Sequence, residues 1–168
     1  NLEDIKAPES YEIERRLVEE LDIPVMHDDQ HGTAIISSAA LLNAVELAGK
    51  KTEDLKMVVS GAGSAALACA NMYVLLGLKV ENILMFNSKG VLTKDNTSLS
   101  EMQLKYATDK KPMSLEEALV GADIFLGLSS GDIMTPKMLL TMADNPIVFA
   151  MANPNPEINY HLAVATRK

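Results

Sequence analysis

The chain has 168 residues, of which 48% are hydrophobic and 23% charged, and its formal net charge is −8. This length and composition indicate one folded domain with a hydrophobic core and exclude an intrinsically disordered chain. The acidic balance argues against a nucleic-acid partner, whose binding surface is typically basic. No apolar run approaches the roughly 20 residues of a membrane span. The single cysteine, Cys69, excludes an intramolecular disulfide and is predicted to be a small core residue. We therefore expect a cytoplasmic protein with no membrane partner.

The first third of the chain predicts two helices separated by a polar segment. Residues 11–21 repeat apolar side chains at helical spacing, which favours an amphipathic helix. The second predicted helix runs from Ala34 to about Ala48 and is almost wholly apolar, so we expect it to be buried on all sides. Thr33 is its expected N-cap, because threonine side chains accept hydrogen bonds from the first turn of a helix. The composition favours a domain boundary only in the region Pro24–Asp29.

The stretch from Lys56 to Leu76 predicts a buried strand, a glycine-rich turn and a helix, in that order. Gly61, Gly63 and Ala66 form the pattern G-x-G-x-x-A between the strand and the helix. In dinucleotide-binding folds the first small residue permits the tight turn, the second lets pyrophosphate approach the backbone, and the third allows close packing. The helix N-terminus adds free N–H groups. The alternative is a glycine-rich turn without a ligand, since one such pattern is weak evidence. The predicted contacts are Gly61, Ala62, Gly63, Ser64, Ala65 and Ala66.

The rest of the chain alternates apolar strand-like runs with helical segments. Further strands are predicted at residues 83–86, 123–128 and 146–151, and helices near residues 99–106, 114–120 and 135–142. Regular alternation of strands and helices is typical of parallel sheets with helices on both faces. The sequence therefore predicts an α/β fold with a doubly wound, mostly parallel sheet.

Acidic residues cluster in two pairs, and we expect the intervening helix and turn to bring both pairs near one point. Glu3 and Asp4 form the first pair, and Asp28 and Asp29 the second. Converging carboxylates repel one another unless a cation lies among them, and all-oxygen ligands select a hard ion such as Mg²⁺ or Mn²⁺. The alternatives are solvated loop acids, or a transition-metal site that also uses the flanking histidines at positions 27 and 31.

Residues 23–34, which read I-P-V-M-H-D-D-Q-H-G-T-A, closely resemble the malic enzyme family in its bacterial-type form. Residues 1–4, 61–66, 127–129 and 152–156 also resemble that family, in the same order. The resemblance implies oxidative decarboxylation of malate to pyruvate and CO₂ with NAD or NADP and with Mg²⁺ or Mn²⁺, in a homo-oligomer. Two alternatives stay open, namely malolactic activity, which forms lactate and retains NAD, and a nucleotide-binding fragment without catalysis.

The resemblance also implies roles for individual residues. It assigns the metal to Glu3, Asp4 and Asp29. Asp28 is expected to orient a catalytic lysine, Asn153 to face the substrate and nicotinamide, and Ser129 to contact the cofactor.

The domain organisation follows from the same resemblance. The family's catalytic lysine and tyrosine come from a preceding domain and have no counterpart in this sequence. We therefore expect a fragment of a longer enzyme, inactive alone. Residues 1–27 would be the tail end of an N-terminal substrate and metal domain, and residues 28–168 a Rossmann-like NAD(P)-binding domain.

The end of the second strand bears on the choice of cofactor. Asn87 lies 26 residues after Gly61, where many dinucleotide sites have an acid that binds the ribose 2′-hydroxyl. Asn87 does not repel a 2′-phosphate, and Lys89 can pair with it. The sequence therefore favours NADP over NAD, with Asn87, Ser88 and Lys89 as the contacts. A polar turn without a ligand is the alternative.

Overall fold

A five-stranded sheet forms the centre of the computed structural model, which describes residues 1–6 and 9–167. The strand order is β3-β2-β1-β4-β5. Strands β1, β2, β4 and β5 are mutually parallel, and β3 pairs with β2 in the antiparallel direction. The mostly parallel sheet predicted from the sequence is therefore confirmed. The strands are β1 (Met57–Ser60), β2 (Ile83–Asn87), β3 (Gly90–Val91), β4 (Ile124–Gly127) and β5 (Ile147–Ala150).

Seven α-helices surround this sheet in the described part of the chain. They are α1 (Glu9–Glu20), α2 (Asp28–Leu47), α3 (Ser64–Leu75), α4 (Glu101–Leu104), α5 (Leu115–Leu119), α6 (Pro136–Thr141) and α7 (Tyr160–Thr166). The helices predicted near residues 114–120 and 135–142 correspond to α5 and α6. Their N-caps are Ser114 and Thr135, because each side chain accepts a backbone hydrogen bond from the first turn. In the described residues no helix is long and apolar enough to cross a membrane.

The sheet has a hydrophobic core on each face, as the doubly wound fold requires. Val59 faces the helices α2 and α3, whereas its neighbour Val58 belongs to the core that includes residues of α5 and α6. This alternation follows from the two-residue period of side chains along a strand. Cys69 is fully buried in the first core, as predicted, and burial raises the pKa of its thiol. A buried thiol of this kind is chemically inert.

Helix α2 differs from its prediction in two respects. It begins at Asp28 rather than Ala34, so Thr33 lies inside the helix and does not cap it. The N-cap is His27, whose backbone N–H donates to a Glu14 carboxylate oxygen of α1 at 2.8 Å. This partner is distant in sequence, so no local pattern marks the start of the helix. The expectation of burial on all sides is also wrong, because one side packs on α3 while Ile36 is 69% exposed on the other.

Two short elements have no counterpart in the sequence prediction. Strand β3 forms a hairpin with β2, and inside its turn the Asn87 side chain accepts the Lys89 N–H at 2.8 Å. Helix α7 begins after Asn159, whose side chain accepts the N–H of His161 at 2.9 Å. Both features rest on asparagine side chains that bond to nearby backbone, which is the usual role of asparagine in turns and caps.

Candidate functional site

The carboxyl ends of β1 and β4 meet where the strand order reverses. From β1 the chain passes through α3 to β2 on one side, and it later returns to β4 on the other side of β1. In open α/β sheets, ligands bind in the crevice that such a reversal creates. A cleft of about 530 Å³ lies here and includes the glycine turn, the end of β2 and the residues after β4. Its lining includes Gly61, Ala62, Gly63, Asn87, Ser88 and Ser129.

The glycine turn fits the predicted pattern at each of its three small positions. Gly61 has a φ of +121°, and a Cβ atom there would lie 2.5 Å from the carbonyl oxygen of Leu128. Only glycine combines that backbone conformation with such a close approach. Ala66 is buried at 1% exposure, which allows α3 to pack closely on the sheet. A Cβ at Gly63 would meet no atom within 4 Å, so this position opens to free space.

The N-terminus of α3 faces this turn without a capping side chain. Gly63 is the N-cap, and Ser64 is the first residue of the 12-residue helix. The first N–H groups of a helix lack partners within it and carry partial positive charge, which suits a phosphate. Burial raises the pKa of Tyr11, and the nearby Ser64 side chain partly opposes this rise. Helix α1 therefore reaches the beginning of α3.

Helix α4 contacts the glycine turn through a hydrogen bond at the edge of the cleft. The Gln103 side chain donates to the Ala62 carbonyl oxygen at 3.0 Å and accepts the Ser100 N–H at 3.1 Å. The sequence analysis missed Gln103, although its capping-box spacing from Ser100 is visible in the sequence. The bond to Ala62 spans 41 residues and depends on the fold.

The remaining predicted cofactor residues lie on either side of β1. On the β4 side, the hydroxyl oxygens of Ser129 and Ser60 are 2.8 Å apart, so the loop after β4 is joined to the end of β1. On the β2 side, Asn87, Ser88 and Lys89 form the hairpin turn to β3. Asn87 borders both the main cleft and an adjoining depression of about 400 Å³ that Lys89 also lines. Residues 87–89 therefore form a polar turn, and this turn lies beside the cleft.

The two acidic pairs do come together in part. A bridge between Leu2 and His27 brings the first residues beside the start of α2. The Asp4 N–H donates to the Asp29 carboxylate at 2.8 Å. Within residues 1–6 and 9–167, however, no three histidine, cysteine or acidic side chains form a group that could hold a metal. The donor types suit a hard cation, although the contact between the two pairs runs through the backbone N–H of Asp4 and not through its carboxylate.

Glu14 organises the H-D-D-Q-H segment, and the sequence analysis missed it. Its carboxylate accepts the His27 N–H at 2.8 Å and lies 2.9 Å from His31 Nε2. The Gln30 amide donates to the same carboxylate at 3.4 Å and lies 3.1 Å from the buried His27 Nδ1. Both histidines are thus engaged in joining α1 to α2, which favours a structural role over a transition-metal site.

The two predicted catalytic residues lie apart from the cleft. Asp28 is the first residue of α2, and its carboxylate occupies the space that a side chain at Gly32 would need. Asn153 is exposed in the loop after β5 and does not line the cleft. The residue before it, Ala152, donates its N–H to the buried carboxylate of Glu157 at 3.1 Å. The sequence analysis did not single out Glu157.

Comparisons with known proteins agree with this geometry. Residues 30–164 match the family model described as "Malic enzyme, NAD binding domain". The chain is 50% identical to a NADP-dependent malic enzyme of Halomonas elongata and 51% identical to a NAD-dependent malic enzyme of Rhizobium meliloti, each match covering 99% of this chain. It superposes on the crystal structure of the Entamoeba histolytica malic enzyme with a TM-score of 0.91 at 37% identity, covering 99% of this chain and 36% of that one.

The relatives are considerably longer than this chain. It spans 40% of the Halomonas protein and 22% of the Rhizobium protein. It also covers 45% of the NAD-dependent malic enzyme of Thermotoga maritima, with a TM-score of 0.91 and 42% identity. The family model matches most of the sequence and describes a dinucleotide-binding unit, as the cleft and glycine turn do. The chain therefore belongs to the malic enzyme family and corresponds to its NAD-binding domain.

Proposed function

We propose that this chain is the NAD(P)-binding part of an enzyme that oxidatively decarboxylates malate to pyruvate and CO₂. The observation that carries the proposal is the glycine turn at the reversal of strand order, with Gly63 open to the cleft. The family match and the names of the relatives support the reaction. Because those relatives are more than twice as long, the activity belongs to the full-length protein.

Different residues at the cleft bind the different parts of the dinucleotide. The N–H groups at the start of α3 take the pyrophosphate, because they are the free donors nearest the turn. Asn87, Ser88 and Lys89 take the adenosine ribose at the end of β2. The nicotinamide then lies towards Ser129 and Asn153, after β4 and β5. When bound, the nicotinamide supplies the acceptor for the hydride that leaves C2 of malate.

The residues at the start of α2 are proposed to hold the divalent cation. The backbone N–H of Asp4 already bonds to the Asp29 carboxylate, and the carboxylates of Glu3 and Asp4 must join that of Asp29. When bound, Mg²⁺ or Mn²⁺ supplies a Lewis acid for the loss of CO₂. Asp28 is held over Gly32 in the first turn of α2, so its carboxylate has a fixed place from which to orient a neighbouring cationic group.

The first test places bulk where the pyrophosphate must approach. We expect Gly63→Val in the full-length protein to weaken NADPH and NADH binding by orders of magnitude. The backbone at Gly63, with φ −85° and ψ −172°, suits valine, and its Cβ has free space, so the fold should persist. Calorimetric titration measures the affinity, and Ala39→Val on the exposed side of α2 is the control. Unchanged dinucleotide affinity in Gly63→Val would refute the assigned role.

The second test concerns the cation. Asp29→Asn keeps an acceptor for the Asp4 N–H but removes the charge. We expect the apparent Mn²⁺ affinity of the full-length protein to fall at least about 100-fold, since even outer-shell partners contribute 10- to 100-fold. NADPH affinity should persist. Direct Mn²⁺ binding and malate turnover at limiting Mn²⁺ are measured, with the exposed Asp22→Asn as control. Wild-type Mn²⁺ affinity in the variant would contradict the assignment.

The third test concerns the choice between NADP and NAD. Asn87→Asp with Lys89→Ala should move the ratio of kcat/KM towards NAD by about one to two decades, because charge-assisted contacts contribute roughly 1.5–3 kcal/mol. Aspartate keeps the oxygen that accepts the Lys89 N–H, so the hairpin turn should survive. The ratio is measured at fixed malate and Mn²⁺, with the exposed Lys79→Ala as control. A wild type that favours NAD, or an unmoved ratio, means that other residues read the 2′ position.

A further inference from the structure

Glu157 is a fully buried carboxylate at the carboxyl end of the sheet. Its side chain bonds to the backbone of two different loops, and its relative exposure is 0%. One oxygen accepts the Ser129 N–H and the other accepts the Ala152 N–H, each at 3.1 Å. Ser129 follows β4 and Ala152 follows β5, so one side chain joins both loops. A buried charge is costly unless hydrogen bonds satisfy it, which makes these two bonds essential to its placement.

Gly127 at the end of β4 provides the space that Glu157 needs. A Cβ atom at Gly127 would collide with the Glu157 carboxyl group. Two backbone bonds hold the same loops together, from Asp132 N–H to Pro156 O at 3.0 Å and from Met134 N–H to Glu157 O at 2.9 Å. The fold therefore fixes the position of the Glu157 carboxylate through the space at Gly127 and the two paired loops.

This contact continues to the glycine turn. The Ser129 hydroxyl lies 2.8 Å from that of Ser60 at the end of β1, and the Leu128 carbonyl packs against Gly61. Glu157 thus sets the position of residues on the β4 and β5 side of the cleft. The adenosine-side residues around Asn87 lie across β1 and have none of these bonds to Glu157.

We propose that Glu157 is a positioning residue that holds the loops after β4 and β5 in the arrangement that receives the nicotinamide end of the dinucleotide. This rests on the proposed NAD(P)-binding function and adds a residue to it. Glu157 acts through Ser129 and through the loop of Ala152 and Asn153. It is not expected to touch the adenosine end, which the β1 turn and β2 hold.

The substitution Glu157→Gln tests this role with little change in shape. One acceptor oxygen becomes an NH₂ donor that faces a backbone N–H, so one of the two loops loses its bond. We expect the affinity of the full-length protein for NADPH to fall about 10- to 100-fold. We expect its affinity for 2′-phospho-ADP-ribose, which lacks the nicotinamide, to change less than about twofold. The exposed Glu53→Gln at the opposite end of the sheet is the control.

The two ligands, measured by calorimetry on the same protein samples, separate positioning from a general role in folding. Equal loss of both affinities in Glu157→Gln, including loss through unfolding, would show a structural role and overturn the proposal. Wild-type affinity for NADPH in that variant would also overturn it. Gly127→Ala displaces the same carboxylate from the other side and should reproduce the selective loss of NADPH. A wild-type protein that binds neither of these ligands, nor their counterparts without the 2′-phosphate, NADH and ADP-ribose, would instead refute the proposed function.

Discussion

The close approach of the β1 turn to the loop after β4 is the constraint on which the site depends. Gly61 passes so near the Leu128 carbonyl that no side chain fits between them, and its positive φ excludes most other residues. This contact is possible because β1 pairs in parallel with both β2 and β4. The carboxyl ends of three strands therefore converge, and the cleft is the space left above them.

The same constraint explains why small and polar residues accumulate at this edge of the sheet. Gly127 leaves room for the buried Glu157, and Ser60 and Ser129 bond to each other across adjacent strands. Gln103 then ties α4 to the Ala62 carbonyl. These contacts give hydrogen-bond partners to polar groups at the carboxyl ends of the strands. The first N–H groups of α3 have no capping side chain and remain free. The free donors are the chemical feature that a pyrophosphate requires.

The acidic segment depends on contacts among the first residues of the chain, α1 and the start of α2. Glu14 joins α1 to the start of α2, and the bridge between Leu2 and His27 lays the first residues alongside. As a result Asp4 and Asp29 contact each other although 25 residues separate them. The histidines that flank the acidic pair are used for this joining, which leaves oxygen donors as the groups available to a cation.

The sequence predicted the features that local patterns encode. The apolar runs predicted the four parallel strands, and the segments 114–120 and 135–142 were predicted as helices where α5 and α6 lie. The pattern around Gly61 predicted the glycine turn, the strand before it and the helix after it. The start of α2 was mispredicted because its N-cap, His27, is held by Glu14 on another helix. Glu157 was missed for the same reason, since the meaning of a lone glutamate depends on which backbone groups the fold brings to it.

Hydrogen–deuterium exchange on the full-length protein, with and without saturating NADP⁺ or NAD⁺, tests most directly whether the dinucleotide lies across the reversal of strand order. We predict slower exchange in peptides covering residues 60–67, 85–90 and 127–131, because each of these peptides includes residues that line the cleft. Exchange in peptides covering α6 and α7, which border a separate apolar groove, should not change. Protection confined to α6 and α7, or absent from residues 60–67, would contradict the account.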